Sequence, residues 1–200
     1  MATNLATNLA TNRPGMKRRF LFVHLLLLAV LAALLAGLQG LMPAMAQTTD
    51  TNGQTIGSVS GLPVPRFVSL KADRVNLREG PSKDHRTTWI YERAGLPVEI
   101  TGEYGMWRKV RDSDGTEGWV LHNLLSGRRT AIVAPWKKAE VFTLYVRAAD
   151  DSAPAARLQP GVIGTIKTCD GEWCEIYGEG FDGYIRQTDL WGVYPNEKID

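Results

Sequence analysis

The chain repeats itself, and the repeat limits the folds open to it. Residues 95–110, GLPVEITGEYGMWRKV, lie over residues 161–176, GVIGTIKTCDGEWCEI, without a gap. Gly95 meets Gly161, Ile100 meets Ile166, Gly105 meets Gly171, Trp107 meets Trp173, and Val110 meets Ile176. Downstream, Gly118-Trp119-Val120 matches Gly183-Tyr184-Ile185 once one loop residue is dropped. Upstream, Val75-Asn76-Leu77-Arg78 matches Leu144-Tyr145-Val146-Arg147 once three are dropped. Two units of about 65 residues result, each near the lower size limit of a domain that folds alone.

Each unit reads as short strands separated by glycine turns, with no amphipathic stretch of helical length. Val98 and Ile100 alternate on one strand, a glycine turn leads to Trp107–Val110, and Asp112-Ser113-Asp114-Gly115 leads to Gly118-Trp119-Val120. Glycine after aspartate suits the positive φ of tight hairpins. A short turn from His122 to Leu125 closes the unit. About five antiparallel strands in so few residues bury their edges by curling into a barrel. The expected fold class is all-β, as two tandem small barrels.

Ahead of them, Met16 opens a basic stretch (Lys17, Arg18, Arg19), an apolar run from Phe20 to Leu38, a break at Pro43, and small residues Ala44-Met45-Ala46. This is the layout of a secretory leader cleaved before Gln47. Residues 1–46 are read as signal peptide, with Met16 as the true start. The run approaches the ~20 residues of a spanning helix, so an uncleaved leader would be the route to membrane attachment. Residues 47–65 read as a flexible linker, polar and glycine-rich until Leu62-Pro63-Val64-Pro65. The two folded units are 66–129 and 130–196.

The leader also carries the basic balance. It holds Arg13, Lys17, Arg18 and Arg19 and no acid, so its loss turns a net charge of +2 into −2. What remains has no sustained basic face, and nucleic acid is not an expected partner.

The segments VNLREGPS, GLPVEI, MWRKV, DGTEGWV and SGRRTAIV closely resemble the bacterial SH3-like domains of exported proteins. CDGEWCEI, GYIRQTDL and LWGVYP are similar to the second repeat of two-domain members. The resemblance implies small SH3-like β-barrels without catalysis of their own, in proteins of the cell envelope that bind peptidoglycan or peptides. The second unit departs from the pattern: Asn76 and Gly80 become Tyr145 and Ala149, and its first long loop is shorter.

Cys169 and Cys174, the only cysteines, occupy the places of Glu103 and Arg108 in the first unit. They flank a hairpin turn that the other unit folds without cysteine. In an oxidising compartment, facing strand positions predict a disulfide. Their C-x4-C spacing is neither a common zinc spacing nor the C-x-x-C of redox pairs, so no metal is expected.

No nucleophile–base pair can be assembled, because only His85 and His122 follow the leader and no G-x-S-x-G or H-E-x-x-H motif is present. An enzyme is not expected, and no cofactor is implied. With Val110 and Val120 inward, Trp107 and Trp119 face outward on paired strands, and Trp173 with Tyr184 would do so in the second unit. Trp89 and Tyr91 form a weaker outward pair. Such rings either hold an extended chain, as SH3 domains do, or pack the two barrels together or cover the far side of a twisted sheet. The candidate ligand-binding residues are Trp107, Trp119, Asn76, Arg108 and Arg111, with the arginines meeting ligand carboxylates. The expected protein is periplasmic or secreted, and its partner is a cell-wall peptide or an envelope protein. The alternative is a scaffold whose barrels contact another envelope protein.

Overall fold

A computed structural model describes Thr49 and residues 55–200. The leader, the cleavage site and the proposed start at Met16 lie outside the described residues.

A hairpin comes first, pairing β1 (Thr55–Ile56) with β2 (Pro63–Val64). The first barrel follows, as β3 (Arg66–Leu70), β4 (Val75–Arg78), β5 (Thr87–Tyr91), β6 (Pro97–Tyr104), β7 (Trp107–Arg111), β8 (Glu117–Leu121) and β9 (Leu125–Ser126). These form one antiparallel sheet in the order β5-β4-β8-β7-β6-β3-β9. The second barrel contains β10 (Thr130–Val133), β11 (Phe142–Tyr145), β12 (Pro154–Leu158), β13 (Ile163–Asp170), β14 (Trp173–Gly178), β15 (Phe181–Arg186), β16 (Leu190–Trp191) and β17 (Lys198–Ile199). Its order, β12-β11-β15-β14-β13-β10-β16, repeats the first, with β17 added beside β13. That added strand carries the second unit past residue 196, to Ile199.

Each barrel closes on an alternating core. In the first, Val68, Leu70, Val75, Leu77, Val98, Ile100, Val110 and Val120 pack together. In the second, Leu144, Ile166, Ile176, Ile185 and Leu190 do the same. Burying each such aliphatic side chain contributes about 1.5–3 kcal/mol. The matched glycines Gly118 and Gly183 sit where one strand crosses another. A Cβ on Gly118 would lie 2.5 Å from Leu77 Cγ, and one on Gly183 would lie 2.7 Å from the Tyr145 carbonyl oxygen. The crossing therefore needs a residue without a side chain.

The linker expectation changes from Thr55 onward. The β1–β2 hairpin is fixed by Glu103, whose side chain is 1% exposed and bonds far back along the chain. Its carboxylate accepts hydrogen bonds from Ser60 Oγ (2.6 Å), Ser60 N–H (2.9 Å), Val59 N–H (3.1 Å) and Arg66 Nη2 (2.9 Å). A composition of glycine, serine and proline describes a hairpin as well as a tether when one distant carboxylate gathers its amides.

The barrels meet through aromatic and polar contacts. Phe67 meets the Trp191 ring edge-on at 5.3 Å and the Tyr194 ring at 4.7 Å. Tyr194 donates from its hydroxyl to Glu99 Oε1 (2.9 Å), and Thr130 Oγ1 donates to the Gly95 carbonyl (2.7 Å). Neither Trp107 nor Trp119 is among the residues that make these contacts.

Candidate functional site

Strand alternation orients the outer face of the first barrel. Arg108 and Val110 of β7 are buried, as are Gly118 and Val120 of β8, so Trp107, Lys109, Trp119 and Leu121 project outward. In the register, Trp107 faces Leu121 and Lys109 faces Trp119, which sets the two indoles diagonally on one surface. Both are half-buried. β4 runs alongside, with Asn76 outward and Arg78 opposite Trp119.

Between these strands opens a cavity of about 200 Å³, lined by Arg74, Asn76, Arg78, Lys83, Trp107, Leu121 and Leu124. Two of the sequence candidates, Asn76 and Trp107, share it. Trp119 lies on the same face but outside the lining. The volume is below the ~300–1,000 Å³ of typical small-molecule sites, so it suits one stretch of a longer chain.

The two candidate arginines do not belong to this slot. Arg108 points inward with Val110. It is 7% exposed, pairs with Glu103 at 3.4 Å and donates to the carbonyls of Gly105 and Trp107, both at 2.9 Å. Arg111 faces outward but is engaged by Glu99 across the β6–β7 pair. The slot's cations are instead Arg74, Arg78 and Lys83, which the sequence reading missed. Arg78 is held in place by donating to the carbonyls of Lys83 (3.0 Å) and His85 (2.7 Å). Among the described residues, neither Arg78 nor Lys83 has an acidic partner. Arg78 was in principle legible, since it shares the outward parity of Asn76, and so was Leu121, two places after Trp119. Lys83 comes from the long loop, whose path no periodicity reveals.

The second barrel fills the same place with its own side chains. Trp173, expected outward, is 5% exposed. The Tyr145 ring meets it edge-on at 5.7 Å, and the Arg186 guanidinium covers its face at 4.1 Å. Arg186 is in turn paired with Asp150 and Glu172. Tyr184 stays half-exposed and donates to Glu175 (3.1 Å). A cavity of about 750 Å³ lies nearby, but its lining includes the barrel's own tail, Val193 to Asn196, and Gln187, which donates to the Glu197 carbonyl (2.8 Å). Of the weaker pair, Trp89 is exposed, whereas Tyr91 is buried and donates to Asp112 (3.0 Å).

Cys169 and Cys174 face each other in the β13–β14 register and form a disulfide, with Cα atoms 4.1 Å apart. Glu103 and Arg108 face each other at the same place in the β6–β7 register. One cross-strand position is thus bridged by an ion pair in one barrel and by a covalent bond in the other. Among the described residues, no cluster of His, Cys, Asp and Glu could hold a metal ion, and no helix is long and apolar enough to cross a membrane.

A family model described as "Bacterial SH3 domain" matches residues 71–127 and 137–192. No curated protein matches. Among solved structures, NlpC2 of Trichomonas vaginalis is 17% identical with a TM-score of 0.29, over 64% of this chain and 48% of that one. NlpC1 of the same organism is also 17% identical with a TM-score of 0.29, over 68% and 48%. The chain thus spans about half the length of the solved structures it matches.

Proposed function

Because the chain belongs to the bacterial SH3 domain family and carries that domain twice, we propose that it is an exported, non-catalytic binding module of the cell envelope. In this reading the first barrel holds an extended peptide, that of peptidoglycan, in the slot beside Trp107. A disulfide suits an oxidising compartment outside the cytoplasm.

The observation that carries the reading is the contrast between the two slots. Trp107 stands half-buried at the wall of an open cavity, while Trp173 is covered by Tyr145 and Arg186. A ring that the barrel leaves partly open is available for stacking and desolvation, which makes Trp a frequent hot spot. Retention of residues 47–200 on purified sacculi tests it. Trp107→Ala should weaken retention by about tenfold or more, and Trp173→Ala, compared per folded molecule, should not. Unchanged retention per folded molecule in Trp107→Ala would refute the slot.

The scaffold reading has its own support. Trp89 and Trp136 are 58% and 53% exposed and belong to neither slot. Capture of an envelope protein that is lost with Trp89→Ser or Trp136→Ser but kept with Trp107→Ala, with no retention on purified sacculi, would favour it.

A further inference from the structure

We infer that the first barrel's slot selects a peptide carrying a carboxylate, and that Arg78 with Lys83 is what meets it. The inference rests on the binding-module reading above and narrows its ligand.

Two observations on one fold carry it. In the second barrel, the aromatic slot contains both members of an ion pair: Arg186 lies on Trp173, and Asp150 and Glu172 neutralise it. The first barrel has the cations without the acids. Its lining holds Arg74, Arg78 and Lys83 and no carboxylate. The position matching Glu172 is Met106, 58% exposed, and the position matching Asp150 is Pro81. Among the described residues the one ion pair these cations make is that of Arg74 with Glu92, at 4.0 Å with both side chains over 70% exposed. That contact is too loose to neutralise the slot. Of the acids beside them in the chain, Glu79 is paired with Arg86 and Asp84 is bonded to Ser82.

Arg78 is also preorganised. Two carbonyls hold one of its nitrogens, so its guanidinium stays at the slot without a ligand to fix it. A bound carboxylate would supply the acid that the second barrel provides from its own chain, with the cation at a different place: Arg186 matches Leu121, whereas Arg78 matches Arg147. Leu121 and Leu124 flank the cations and offer an apolar wall to the stem of the same residue. The favoured ligand is therefore an extended peptide with a carboxylate on a short aliphatic stem.

Three synthetic probes separate the sources of the charge. The first is acetyl-Gly-Ala-Ala-Glu-Ala-Ala-amide, the second replaces its Glu with Gln, and the third is the Gln peptide with a free C-terminal carboxylate. Titration into residues 47–200 should show the first or the third binding roughly tenfold tighter than the neutral second. Which of the two is preferred identifies a side-chain or a terminal carboxylate. The preference should shrink in high salt and vanish in Arg78→Gln. Met106→Glu, which places an internal acid where the second barrel has Glu172, should also weaken the acidic probe, and it does so at an exposed side chain.

Equal binding of charged and neutral probes, still sensitive to Trp107→Ala, would overturn the carboxylate inference and leave the binding module standing. Failure of all three probes, with Trp107-dependent retention on sacculi intact, would also overturn it, because the ligand would then lack this chemistry. Failure of both probes and sacculi would overturn both readings.

Discussion

Glu103 shows how much one carboxylate organises. Burial alone would raise its pKa, but hydrogen bonds from Ser60 Oγ, Ser60 N–H, Arg66 and Val59 N–H outweigh that and hold it at about 2. An unfolded glutamate titrates near 4.3. The stability that ionised Glu103 contributes is therefore complete above about pH 4.5 and is lost as pH falls towards about 2. Glu103→Gln should cost about 3 kcal/mol at neutral pH, since Arg66 and Arg108 lose their partner. It should also flatten the fall in thermal midpoint between about pH 4.5 and pH 2, measured by circular dichroism. A variant that keeps the wild-type acid slope would show that another group carries it. The sequence contained a clue to Glu103, because it aligns with Cys169 while Arg108 aligns with Cys174: opposite charges standing where the repeat has a covalent pair. The same alternation that turned Trp107 outward also placed Arg108 inward with Val110, two residues on. The parity was readable, and Arg108's charge misled. The role of Arg111 was not readable, because its partner Glu99 emerges only from the β6–β7 register.

At the scale of elements, two equivalent hairpins are bridged by different chemistry. β6–β7 relies on Glu103 and Arg108, and β13–β14 on the disulfide. Reduction should lower the stability of the second barrel by about 2 kcal/mol, the chain-entropy expectation for so short a loop, and leave the first barrel unchanged. Thiol labelling of denatured, unreduced protein should find no free cysteine. Differential hydrogen exchange with and without reductant would assign the loss to one barrel, and equal loss in both would contradict the assignment. The strands themselves were legible from period-two alternation and Asp-Gly turns, as was the short turn after β8, which is a 3-10 turn over His122–Leu124. The β1–β2 hairpin was not. Its anchor lies 44 residues ahead of Val59, a separation at which local composition carries no information.

For the whole molecule, the joint decides whether two barrels behave as one. Glu99 is 2% exposed and sits between Arg111 and the Tyr194 hydroxyl, and Phe67 packs against Trp191 and Tyr194. Tyr194→Phe keeps the ring and removes the donor, which should cost about 1 kcal/mol. Trp191→Ala removes the edge-on contact and should cost about 3 kcal/mol or more. Calorimetry should resolve one transition in the parent and two in Trp191→Ala, because coupling through the joint is lost. A single transition in that variant would mean that the barrels unfold together for another reason. The joint's partners were hidden in the sequence for the same reason as Glu103: Tyr194 and Glu99 lie 95 residues apart. Much of this fastener is spelled outside the family's spans of 71–127 and 137–192. Phe67, Arg129, Thr130, Tyr194 and Glu197 all fall in the seams, and Arg129 there clasps Glu197 (2.7 Å) while lying 6.0 Å from the Phe67 ring. A cassette excised at the family borders and grafted elsewhere would bring its barrel but leave its orientation behind. Two chains built of interchangeable repeats can thus point their slots in unrelated directions, with the difference written entirely in the stitching.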